Sequence, residues 1–181
     1  DWALILGGSS GLGLATAKKL ASHGMHICIV HRDRKSSLPK LDMEIKEMTK
    51  NGVEVLRLNI DAIKRESIDQ VVAVLSNKPV KLLVHSIAKG SVKSMYPTEG
   101  SLSKDDLEIT IAAMGTSWYV WTQALIKNTL FSKKARNIAF TSEGNTRVWN
   151  GYGAVSVAKA TLEALMRQMA VEFAPLDITT N

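Results

Sequence analysis

The stretch that decides the fold is LILGGSSGLGLA, Leu4 to Ala15. An apolar run from Trp2 to Leu6 feeds a glycine-rich turn, and a segment of helical period follows it. Three of the glycines answer to different needs. Gly7 permits a tight turn at a strand end, Gly11 lets backbone amides approach a pyrophosphate, and Gly13 lets helix and strand pack closely. The positive end of the helix then faces the phosphates, so Gly7, Ser9, Ser10, Gly11, Leu12 and Gly13 form a candidate dinucleotide-binding segment.

Outward from this turn, short β-rich runs alternate with longer helical stretches, the pattern of a parallel sheet with helices on both faces. Strands are expected at 2–6, 25–30, 53–58, 81–85, 136–141 and 177–180. Ile68, Val71, Val72 and Leu75 repeat at helical spacing, as do Leu41, Ile45 and Met48, and both sets read as core faces. Ser103 and Asp106 resemble a capping box opening one long helix from about 104 to 130, and Pro175 ends another running from about 152 to 173. Trp118 and Trp121 on the first are assigned to packing or to a subunit interface rather than to substrate. The fold class is therefore α/β, a Rossmann-like doubly wound parallel β-sheet in one domain spanning 1–181. The chain stops inside what reads as a last strand, so a missing C-terminal part is expected.

Composition agrees with one buried core: 181 residues, 45% of them hydrophobic. The single cysteine, Cys28, lies in the apolar run Met25–Val30 and reads as a small core residue, which favours a reducing compartment. No apolar run approaches the ~18 residues of a membrane span, and the start has no signal-peptide pattern. A cytoplasmic location with no membrane partner is the expectation. The net charge of +6 is spread over the chain without aromatic interleaving, so nucleic acid is not expected as a partner and an anionic cofactor or acidic carrier protein is. No metal site is assigned.

The chemistry is read from GYGAVSVAKA, Gly151 to Ala160. Tyr152 lies seven positions before Lys159, and at about 100° per residue both fall on the same side of a helix. Ser142 ends the strand run Asn137–Thr141, and His85, Ser86 and Ile87 end the run Leu82–Val84.

The Gly-x-x-x-Gly-x-Gly spacing from Gly7 resembles the fingerprint of the short-chain dehydrogenase/reductase superfamily, with Leu6 where a threonine is usual. By that resemblance the acid that would select NADH is replaced by His31, followed by Arg32 and Arg34, which implies NADPH; Asp33 leaves NADH open as the lesser alternative. Asn59 and Ile60 match positions around the adenine ring. Ordinary members carry Tyr-x-x-x-Lys, but four before Lys159 stands Val155, which has no proton to give. Tyr-x6-Lys resembles the enoyl-acyl-carrier-protein reductases of the same superfamily, and His85-Ser86-Ile87-Ala88 resembles their version of the common Asn-Asn-Ala-Gly. Ala112 stands where an ordinary member has its proton-relay asparagine.

Ser142 departs from the best known enoyl reductases, which carry a tyrosine there, and the combination resembles a more divergent, NADPH-using branch. The resemblance implies reduction of 2-enoyl thioesters in fatty acid synthesis, by a homodimer or homotetramer. Tyr152, Lys159 and Ser142 are the implied catalytic residues, with Lys159 also holding the cofactor and His31, Arg32, Asn59, Ile60, His85, Ser86 and Ile87 around it. Glu143 to Asn150 are expected along the near side of an acyl channel. The alternatives are a 3-oxoacyl carbonyl reductase with a displaced acid, and a catalytically silent NADP-binding scaffold or sensor.

Overall fold

The computed structural model describes residues 1–181. Strand β1 (Trp2–Leu6) has every residue buried, because it lies in the middle of a parallel sheet covered on both faces. Its alternate side chains divide between two cores. Trp2, Leu4 and Leu6 point into one cluster, while Ala3 and Ile5 point into the other.

Helix α1 (Gly11–Ala21) leads to β2 (His26–His31), and α2 (Leu38–Thr49) leads to β3 (Val55–Asn59). Ala17, Ala21 and Met48 of these helices close the core on the Ala3 and Ile5 side. Helix α3 (Arg65–Val74) then crosses to β4 (Val80–His85). The chain continues through α4 (Lys104–Ile111) and α5 (Ser117–Lys127) to β5 (Phe131–Ala139), then through α6 (Gly153–Glu172) to β6 (Ile178–Thr180). Ile68 and Val71 of α3, Trp118, Trp121 and Leu125 of α5, and Leu162 and Met169 of α6 pack on the Leu4 and Leu6 side.

All six strands are parallel, in the order β3-β2-β1-β4-β5-β6. The order reverses between β1 and β4, and in doubly wound sheets the crevice beyond the strand ends at that point is where ligands bind. Leu6 pairs with Val30 on one side and with His85 on the other, so the turns following β1, β2 and β4 all open at this level.

The long helix expected over 104–130 is divided. Ser103 and Asp106 form the capping box at its start, but residues Ala112–Thr116 wind as a π-helix between α4 and α5. The wide turn carries Gly115 against α6, where a Cβ would lie 3.0 Å from the Ala158 carbonyl oxygen. Strand β5 begins at Phe131, five residues before the expected start, and ends at Ala139, two residues short of the expected 141.

Trp118 and Trp121 are packing residues of this chain's own core, both fully buried. The Trp118 indole donates to Asn137 Oδ1 at 2.6 Å, and Trp121 donates to the Ala62 carbonyl at 2.8 Å. Without its partners the buried Asn137 amide would cost about 1–3 kcal/mol. Burial pushes the Cys28 thiol up to about 12, which keeps it protonated and inert. No helix is long and apolar enough to cross a membrane.

Candidate active site

A cleft of about 470 Å³ opens at the C-terminal ends of β1, β2, β4 and β5. Its floor is the glycine turn. Gly7 has φ of 81°, and its amide donates to the Val30 carbonyl; a Cβ there would lie 2.4 Å from the Ser86 carbonyl oxygen. Gly13 is held for a different reason. A Cβ on it would lie 2.2 Å from the Gly7 carbonyl oxygen, so it sets how closely α1 packs on the turn and does not itself border the cleft.

Gly11 has φ of 52°, and the place a Cβ would occupy is open space. Ser10, the residue before α1, is extended and makes no side-chain cap bond. The first-turn amides of α1 thus have no intrahelical partner and sit at the positive end of the helix. Ser9, Ser10, Gly11 and Leu12 border the cleft at this point. This cradle fits the pyrophosphate of a dinucleotide, the group that the glycine spacing predicts.

The wall at the ends of β2 and β3 is polar. His31 and Arg32 border the cleft, with Asp33, Ile60 and Asp61. The His31 side chain is fully buried, with Nδ1 3.0 Å from Asp33 Oδ2 and Nε2 unpartnered, and burial holds its pKa below the ordinary histidine value. Asn59 does not reach the cleft. It bonds the Asp33 backbone twice, accepting from the amide at 2.9 Å and donating to the carbonyl at 3.1 Å, and so fixes the course of the β2 loop.

At the ends of β4 and β5 the structure corrects one assignment. Ser86 and Ile87 border the cleft, but His85 is fully buried beneath it, with Nε2 2.8 Å from Ser117 Oγ. Desolvation, reinforced by the positive charge of Lys159, brings the His85 pKa down to about 3, so the ring is neutral. The register that pairs His85 with Leu6 and Ala139 turns its side chain into the sheet's covering layer, where a strand-end residue one position later would face the cleft.

Ser142, Tyr152 and Lys159 are brought together on one wall. Tyr152 is the residue just before α6, with φ of −91° and ψ of 4°, and its hydroxyl lies 3.2 Å from Ser142 Oγ. Lys159, seven residues along, is only 5% exposed, and its ammonium donates to the Phe140 carbonyl at 2.7 Å. Burial lowers its pKa to about 8, against a smaller opposing effect from Glu163.

Val155 is excluded from the cleft: it is buried with Ala113, Met114 and Ala158. The space beside it is so tight that a Cβ on Gly90 would lie 2.8 Å from its Cγ2. Glu143 to Asn150 do not line the cleft either. Gly144 and Trp149 of that stretch instead support Tyr152, Trp149 edge-on to its ring at 5.3 Å.

Asp61 and Lys89 escaped the sequence reading, and Gly144 was expected along an acyl channel and not against Tyr152. Asp61 follows Asn59-Ile60 in the same turn and Lys89 follows Ala88 by one, so proximity to assigned residues was the available signal. Nothing local marks Gly144.

A glycine cradle facing a Ser, Tyr and Lys group across a switch-point cleft is the scaffold of a nucleotide-dependent oxidoreductase. The chain belongs to the short-chain dehydrogenase/reductase superfamily, whose members bind NAD or NADP; residues 7–181 match the family described as Enoyl-(Acyl carrier protein) reductase. It is 25% identical to 2-dehydro-3-deoxy-D-gluconate 5-dehydrogenase of Formosa agariphila, over 99% of this chain and 66% of that protein. It is 26% identical to 3-oxoacyl-[acyl-carrier-protein] reductase of Synechocystis sp., over 99% of this chain and 70% of that protein. The chain thus spans about two thirds of the length of these relatives. A solved short-chain dehydrogenase/reductase from Serratia marcescens superposes with a TM-score of 0.85 at 25% identity, over 99% of this chain and 71% of that one.

Proposed function

We propose that the protein is an NADPH-dependent enoyl-thioester reductase of fatty acid synthesis. The observation that carries this reading is that Tyr152, and not position 155, supplies the cleft's phenolic hydroxyl. A reduced nicotinamide, when bound, would supply hydride to the substrate's β-carbon. Charge then develops on the thioester carbonyl oxygen, several bonds away. A hydroxyl displaced by about one helical turn suits that longer reach.

In this reading Tyr152 donates a hydrogen bond to the enolate oxygen, Ser142 orients the phenol, and the enolate's α-carbon is protonated afterwards to complete the reduction. Lys159 holds the nicotinamide ribose and adds positive charge beside Tyr152. The glycine cradle takes the pyrophosphate, and His31, Arg32 and Ile60 surround the adenosine end. Assembly as a homodimer or homotetramer, an acidic acyl carrier protein as the thioester's handle, and a cytoplasmic setting belong to the same proposal.

A second reading, reduction of 3-oxoacyl thioesters, is favoured by the Ser142–Tyr152 contact, since a serine beside the acid is also what carbonyl chemistry uses. Side-by-side assays with crotonyl and acetoacetyl thioesters of coenzyme A and carrier protein separate the two. Tyr152→Phe should lower crotonyl turnover roughly 10²–10⁴-fold and leave NADPH affinity unchanged. Near-full crotonyl activity in that variant, or turnover of acetoacetyl thioesters alone, would reject the enoyl reading.

A further inference from the structure

Charges of both signs meet at the adenosine end of the cleft. Arg32 Nη1 donates to Asp61 Oδ2 at 2.7 Å, while the other Asp61 oxygen accepts from the Ile63 amide at 3.1 Å. Lys89, on the segment after β4, also borders the cleft, and its charge acts on the same carboxylate. Burial alone would raise the Asp61 carboxyl, but the Ile63 amide and the charges of Lys89 and Arg32 hold it below the ordinary carboxylate value, so it is ionised. Asp33, the nearer acid in sequence, is turned to His31.

We propose that Asp61 sets how strongly this site prefers a 2′-phosphorylated nucleotide, by occupying Arg32 and by placing a negative charge on the wall that a 2′-phosphate would meet. The inference rests on the nucleotide reading of the cleft and goes beyond it, because it assigns the limiting role to an acid 29 residues from the arginine it restrains. A guanidinium offers a planar fork, and phosphate and carboxylate compete for it. The Arg32 side chain is 57% exposed, so the pair is weak enough to exchange. A 2′-phosphate has to displace the carboxylate from Arg32 and then remain beside it. A 2′-hydroxyl faces neither demand.

Asp61→Asn tests this with little disturbance, since the amide keeps the shape and the oxygen that accepts from Ile63. Isothermal titration of the purified protein with NADPH and with NADH, at fixed ionic strength, reads affinity without any turnover. The expected result is NADPH binding tighter by about 5- to 20-fold, NADH changed by less than about 2-fold, and the NADPH gain largely lost when Arg32→Ala is added. NADPH affinity that is unchanged or weaker in Asp61→Asn overturns the proposal. So does a gain that persists undiminished without Arg32. If the parent protein binds both nucleotides and only the Asp61 effect is missing, the cofactor reading stands and this inference alone falls. If it binds neither, both fall.

Discussion

The placement of Tyr152 depends on a residue that no motif marks, and Gly144→Ala tests it. Gly144 has a backbone that alanine can adopt, so the substitution acts through space and not through strain. The new Cβ would lie 2.1 Å from Tyr152 Cε1 and 2.5 Å from Cδ1, while Trp149 Cζ3 at 3.4 Å closes another side. Ordinary contact begins near 3.4 Å, so the ring has to retreat by about 1.3 Å. The hydroxyl then leaves its position 3.2 Å from Ser142. A misplacement of about 1 Å costs about 10²-fold in rate, and overpacking costs about 1–3 kcal/mol in stability. The assay is NADPH consumption with a crotonyl thioester, together with NADPH titration and a thermal melt. Turnover should fall about 100-fold with NADPH affinity unchanged. Combined with Tyr152→Phe, the alanine should add almost nothing, because both changes remove the same hydroxyl from its place. Full activity in Gly144→Ala, or an equal further loss in the Tyr152→Phe background, would refute the claim that this glycine seats the phenol.

Three further outcomes are expected. Lys159 has a folded pKa near 8 against an ordinary 10.5, so its charge is present at pH 7 and is lost as pH rises through about 8. NADPH affinity, followed by titration calorimetry, should weaken over that range, and Lys159→Met should bind weakly with no such step. In the window between the two pKa values the unfolded chain holds the extra proton, so this residue makes stability rise with pH there; melting curves of the parent and of Lys159→Met should differ in that slope. For assembly, the outer surfaces of α4, α5 and α6 expose Ile109, Val120 and Val171. Sedimentation velocity is expected to give a dimer or tetramer, and a lone monomer at working concentration rejects the oligomer.

What the sequence determined by itself lies where a physical requirement is local and periodic. Leu4 and Leu6 alternate with Ala3 and Ile5 because a central strand needs apolar residues on both faces, and that pattern is visible in five letters. Gly7 and Gly13 are equally legible, since each marks a place where a Cβ has no room. The spacing of Tyr152 and Lys159 told which hydroxyl faces the cleft, and the burial of Val155 supplies the other half of that argument. Tertiary structure alone decided the remainder. The π-helix at Ala112–Thr116 goes with the close approach of Gly115 to Ala158, a contact between helices that no local propensity encodes. His85 reads as a cleft residue until the register of three strands buries it against Ser117. Asp61 meets Arg32, and Gly144 meets Tyr152, only because loops without periodicity converge at one end of a sheet. Periodicity reports the environment of one element, whereas a contact between loops depends on how the elements that carry them are packed.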